Sequence, residues 1–119
     1  MATPNARRAV QRAQLRIERI RSALAQYELL CSGTLSERMM KCGKPNCGCA
    51  SDPTARHGPY YEWGRMRAGK QTHRYVSADQ AQILRQAIAN YREVRKLLRE
   101  WEEQTERLID AAEPKTPKT

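Results

Sequence analysis

The chain has 119 residues, of which 39% are hydrophobic and 29% charged, with 22 Lys and Arg against 13 Asp and Glu. That is room for one small domain. No run approaches the roughly 20 apolar residues of a membrane span, and the early-charged N-terminus lacks the apolar centre of a secretory signal, so the expectation is a cytoplasmic protein that neither crosses nor rests on a membrane.

In chain order, the first expected element is a long helix over 5–30. Val10, Ala13, Ile17, Ile20, Leu24, Tyr27 and Cys31 recur at alternating spacings of three and four, the seam of a heptad helix. Gly33 follows as a stop signal. Six Arg and two acids lie within residues 1–30, and the Arg fall between the seam positions, on the solvent side. Cys31 ends the seam and reads as a small packed hydrophobe, with metal ligation as the alternative.

An imperfectly alternating run over 34–41 is expected as a strand. It leads into a loop rich in Gly and Pro that holds Cys42, Cys47 and Cys49, with His57 beyond it. Three thiolates and one imidazole complete a closed tetrahedral shell, which is structural rather than catalytic. One structural Zn2+ on Cys42, Cys47, Cys49 and His57 is therefore expected. An iron–sulfur cluster and unmetallated thiols are the alternatives, and His73 or Cys31 could replace His57. Disulfides are disfavoured, because there is no export signal and three clustered cysteines leave one over.

Next, two β-prone runs around Ala68-Gly69 read as a hairpin over 59–76. Residues 31–76 carry eight basic residues and three acids. With an even loop, Tyr61, Trp63, Arg65 and Arg67 share a face with Lys70, Thr72, Arg74 and Val76. With an odd loop, Trp63 faces Tyr75. Rings interleaved with cations suit nucleic acid, DNA or RNA. The candidate contacts are Arg38, Lys41, Lys44, Arg56, Tyr61, Trp63, Arg65, Arg67, Lys70 and Arg74. Tyr60, Tyr61 and Trp63 have a competing use as core, in a chain without Phe.

Ser77 and Gln80 form a capping box, opening a helix expected over 78–111 with a seam of Leu84, Ala87, Tyr91, Val94, Leu98, Trp101, Thr105 and Leu108. Residues 77–119 carry eight basic and eight acidic residues, and 113–119 read as a disordered tail. The expected fold is α+β: one domain over 1–112, with an antiparallel helical hairpin flanking a small zinc-stapled sheet of two or three strands.

Several blocks together carry a family resemblance: Gly33-x-Leu35-x-Glu37-Arg38, then Cys42-Gly43-Lys44-Pro45-x-Cys47-x-Cys49, then His57-Gly58-Pro59-Tyr60-Tyr61, then Gly69-Lys70 and Arg74-Tyr75-Val76. In this order they resemble a family of small bacterial proteins of unknown function with a zinc-knuckle-like motif. The resemblance implies that Cys42, Cys47, Cys49 and His57 correspond to the family's metal-like set. Cys31 lies outside the pattern, and Gly48 stands where the family often has a basic residue. The family's company with mobile elements and phages implies a nucleic-acid setting, and no activity comes with it.

The expected function is nucleic-acid binding through the basic hairpin. The alternative is a protein–protein adaptor or dimerisation module that uses the long helices, either as a homodimer or with a partner protein. No carboxylate pair or Ser–His–Asp pattern supports an enzyme or a small-molecule substrate. A tyrosine nucleophile at Tyr60 or Tyr61 beside His57 ranks last.

Overall fold

In the structure, a computed structural model that describes residues 3–41 and 43–112, the elements are α1 (Pro4–Leu24), β1 (Thr34–Met40), β2 (His57–Arg67), β3 (Lys70–Val76) and α2 (Ala78–Ala111). Cys42 and the tail 113–119 lie outside the described residues. Two helices and a three-stranded antiparallel sheet of order β1-β2-β3 make the chain α+β. The described chain forms two compact units, one from residues up to 28 and from 92 on, the other from 29–91.

Thr3 starts α1: its hydroxyl accepts the Ala6 amide at 3.0 Å, and Pro4 occupies the first turn, where its missing N–H costs nothing. Ala13 and Ile20 are the buried positions of α1, and Arg16 pairs with Glu100 of α2 within the same unit. The helix ends at Leu24 and not at residue 30. The last turn tightens, with the Gln26 and Tyr27 amides donating to the Ala23 and Leu24 carbonyls, and residues 29–32 are bonded to partners outside the helix. The Cys31 amide donates to the Ala87 carbonyl at 3.2 Å, Asn90 Nδ2 donates to the Leu29 carbonyl at 3.0 Å, and Trp63 Nε1 donates to the Ser32 carbonyl at 3.0 Å. These partners satisfy backbone groups of 29–32 outside any helix. Tyr27 and Cys31 therefore lie outside the helical seam.

The sheet unit is built on β2, the central strand. Trp63 pairs with Leu35 of β1 and with Arg74 of β3. β2 and β3 are joined by the two-residue turn Ala68-Gly69, with φ of 51° and 78°, as a type I′ turn requires. The loop is thus the even one. Trp63, Val76, Ala81, Leu84 and Ile88 form the core, with Cys31, Leu35 and Tyr61 packed against it. The N-terminal half of α2 therefore covers the Trp63 face of the sheet. Gly33 lets the chain entering β1 lie close against β2: at φ +116°, an added Cβ would stand 2.3 Å from the Gly64 carbonyl oxygen and 2.8 Å from the Trp63 indole nitrogen.

Ser77 and Gln80 form the expected capping box, each amide bonded to the other's side chain at 2.8 and 3.1 Å. Farther along α2 the buried stripe departs from the expected seam. Val94 and Gln104 are buried, whereas Leu98 is 45% exposed and Thr105 lies in solvent. One continuous helix contributes to both units.

Candidate metal centre and basic hairpin

The β1–β2 ladder runs to one end of the sheet, where Met40 pairs with His57. Beyond β1 the chain doubles back in tight steps. The Cys47 amide donates to the Lys44 carbonyl at 3.2 Å, and Ala50, Ser51 and Asp52 donate back to Cys47 and Gly48 through a short 3-10 turn at Gly48–Ala50. A second turn at Pro53–Ala55 is capped by Asp52, whose Oδ1 accepts the Thr54 hydroxyl at 2.7 Å and its amide at 2.9 Å. These bonds, the hydroxyl foremost, hold the Asp52 carboxyl below its ordinary value.

The result is convergence. Cys47 Sγ and His57 Nε2 lie 3.0 Å apart, and the ligand atoms of Cys47, Cys49 and His57 all fall within 4.8 Å of one another. Cys49 is 1% exposed, and Cys47 and His57 are half-buried. Two thiols and an imidazole this close, on a turn that a metal would tie to the first residue of β2, can hold a metal ion. Cys31 is half-buried against the sheet–helix core instead, and His73 lies on β3 with its Nδ1 3.4 Å from Glu62 Oε1. Neither joins the cluster. The fourth expected ligand, Cys42, is outside the described residues.

The candidate nucleic-acid contacts fall into three places. Arg65, Arg67, Lys70 and Arg74 gather on the hairpin, on the Trp63 face. Trp63, Arg65, Arg67, Thr72, His73 and Arg74 line a small hollow of about 140 Å³ there. Lys41, Lys44 and Arg56 flank the metal loop, and Arg56 is half-buried with its Nε buried and unbonded. Arg38 is exposed on the other side of the sheet, opposite Tyr60.

Trp63 is core, at 7% exposed. The guanidinium carbons of Arg65 and Arg74 stand 4.1 and 5.4 Å from its ring centre, so this ring positions cations and has no face left for a base. Tyr61 is half-buried, with Arg85 5.4 Å over its ring. Tyr60 and Tyr75 are the exposed aromatics, at 41% and 59%. Alternation alone placed them together but could not say which face α2 would cover, since both faces of the hairpin carry rings.

A small α+β protein with a clustered Cys–Cys–His set and a basic hairpin is the class these features define. A family model described as Domain of unknown function (DUF6788) matches residues 8–86, more than half of the chain, and the chain belongs to that family. Comparison with curated proteins and with solved structures finds no match.

Proposed function

We propose that this is a zinc-stapled nucleic-acid-binding protein. The observation that carries the reading is the hairpin: Arg65, Arg67 and Arg74 converge on one hollow, none of whose lining residues is acidic. Two of these cations are braced on a buried indole. Pre-positioned guanidiniums suit phosphate, which accepts their planar paired donors. Residues 31–76 hold eight basic residues, these three among them, against three acids, a field that draws in a polyanion.

Zinc fits the cluster. Thiolate and imidazole are its ordinary donors, at about 2.3 and 2.0 Å from the ion, and a set led by a buried cysteine suits a structural site. Cys47, Cys49 and His57 would hold the ion and Cys42 would complete the shell. The ion would cross-link the loop to the sheet and take no part in chemistry. Thiols kept as ligands suit a reducing compartment, the cytoplasm. In the helical unit, the Arg16–Glu100 pair and the burial of Ala13, Ile20, Val94 and Gln104 support an antiparallel pairing of α1 with the second half of α2.

The adaptor reading has one observation of its own. Leu98, Trp101 and Ile109 line an open groove of about 550 Å³ along α2, flanked by Glu102 and Glu106, and such an apolar strip can seat a partner helix.

Purification of the full chain, followed by elemental analysis and an ultraviolet absorbance ratio, tests the proposal. One zinc per chain with co-purifying nucleic acid is expected. Iron with a visible absorption band overturns the zinc assignment. A clean protein that binds no added nucleic acid and runs as a stable dimer favours the adaptor.

A further inference from the structure

We infer that the uncovered face of the sheet is a stacking platform for an unpaired base of single-stranded nucleic acid, built on Tyr60 and Tyr75. This rests on the nucleic-acid reading above and adds the form of the ligand and the residues that read it.

The register fixes the geometry. Arg38 pairs with Tyr60, Glu62 with Tyr75 and Gly64 with His73, so these side chains share the face opposite Trp63. On that face Tyr60 and Tyr75 form an edge-to-face pair with ring centres 6.3 Å apart and planes at 65°. Both are exposed, at 41% and 59%. The tilt between the rings leaves aromatic surface open to solvent. In the middle of the face the His73 ring and the Gln71 side chain lie over Gly64, which is buried and has no side chain of its own. A Cβ there would stand 3.0 Å from the His73 ring and 3.2 Å from Gln71 Nε2. Glu62, the acid on this face, is partly buried against His73. Arg38 is exposed beside Tyr60.

The occupant follows from this chemistry. Besides the tyrosines, His73, Gln71 and Arg38, this face carries Met66, 60% exposed, and Met40, whose Sδ lies 4.0 Å from the Tyr75 hydroxyl; two methionines are a small apolar area for a protein partner. Eight basic residues against three acids over 31–76 repel a basic partner and attract a polyanion. Bases of a duplex are already stacked, so only an unpaired base can lie on a protein ring. On this face Arg38 supplies a backbone charge contact beside Tyr60, the basic cluster of the hairpin lies on the Trp63 face, and the tyrosines supply contacts without charge.

The test measures affinity and salt slope for a random-sequence single-stranded oligonucleotide and for its duplex. The proteins are the wild-type chain, Tyr60→Ala/Tyr75→Ala and Tyr60→Phe/Tyr75→Phe. The platform predicts that the Ala pair loses about tenfold or more in single-strand affinity. It also predicts an unchanged salt slope, because stacking releases no counterions, and recovery in the Phe pair. Ultraviolet cross-linking of the wild-type chain, with the attached peptides mapped, should mark Tyr60 or Tyr75 whatever the Ala variant's folding. Unchanged single-strand affinity in the Ala pair, tighter binding of the duplex, or cross-links confined to other residues overturns the platform and leaves the basic-hairpin reading standing. A wild-type chain that binds neither oligonucleotide overturns both.

Discussion

Cys49 and Cys31 have the same side chain and opposite expected roles. Cys49 is almost wholly buried, in a cluster with Cys47 and His57, whereas Cys31 packs against Leu35, Tyr61 and the sheet–helix core. Cys49→Ser should abolish binding of the proposed zinc and cost several kcal/mol, because metal binding at such a site is coupled to folding. Cys31→Ala should keep the metal and cost about 1–2 kcal/mol for a partly filled cavity. Metal content and thermal melts of both variants check the contrast, and metal loss from Cys31→Ala would contradict it. Asp52 gives a second residue-scale check. Its carboxyl is depressed by the Thr54 hydroxyl and then by the Thr54 amide. A depressed folded value means that the stabilisation is present above the unfolded value, near 3.8, and disappears as pH falls through the lower folded one. Thr54→Val removes the larger cause, so the Asp52 titration followed by NMR should move up toward the ordinary value.

At the scale of elements, the hairpin turn holds a local conflict. Ala68 sits at φ 51°, a left-handed conformation that costs a residue with a Cβ about 1–2 kcal/mol. Ala68→Asn should raise stability by about 1 kcal/mol, since Asn-Gly is the favoured pair for this turn, and denaturant midpoints measure it. In α2 the informative pair is Val94 and Leu98. Val94→Asp should destabilise by about 3 kcal/mol through a buried unpaired charge. Leu98→Asp, at a position 45% exposed, should cost about 0.5 kcal/mol. Equal losses in thermal melts would mean that the Leu98 stripe is covered in solution. The strands, the turn and the capped start of α2 were legible in the sequence because each depends on neighbours in the chain: alternation, Ala68-Gly69, and Ser77 with Gln80. The end of α1 was not: residues 29–32 bond to the Ala87 carbonyl, the Asn90 side-chain amide and the Trp63 indole, partners far along the chain. The heptad pattern through Tyr27 and Cys31 carried no sign of those partners. Cys47, Cys49 and His57 were legible as a set from spacing and type, whereas the division of rings between core and solvent depended on which face α2 covers.

For the whole molecule, the placement of charge carries the account. Basic residues outnumber acids over 1–76 and balance them over 77–119, and no helix among the described residues is long and apolar enough to cross a membrane. A surface that binds phosphate through fixed guanidiniums differs from a protein that is merely cationic, and salt dependence separates the two. Each lost phosphate contact lowers the salt slope by about one unit. The deciding measurement is the salt dependence of binding to one random-sequence oligonucleotide for two quadruple variants. The first replaces Arg65, Arg67, Lys70 and Arg74 by Ala, the second Arg92, Arg95, Lys96 and Arg99. The second cluster lies among acids, with Lys96 3.2 Å from Glu93. The hairpin variant should lose most of the slope and the α2 variant little of it. Equal losses from both would contradict a defined hairpin surface and show that binding follows total charge.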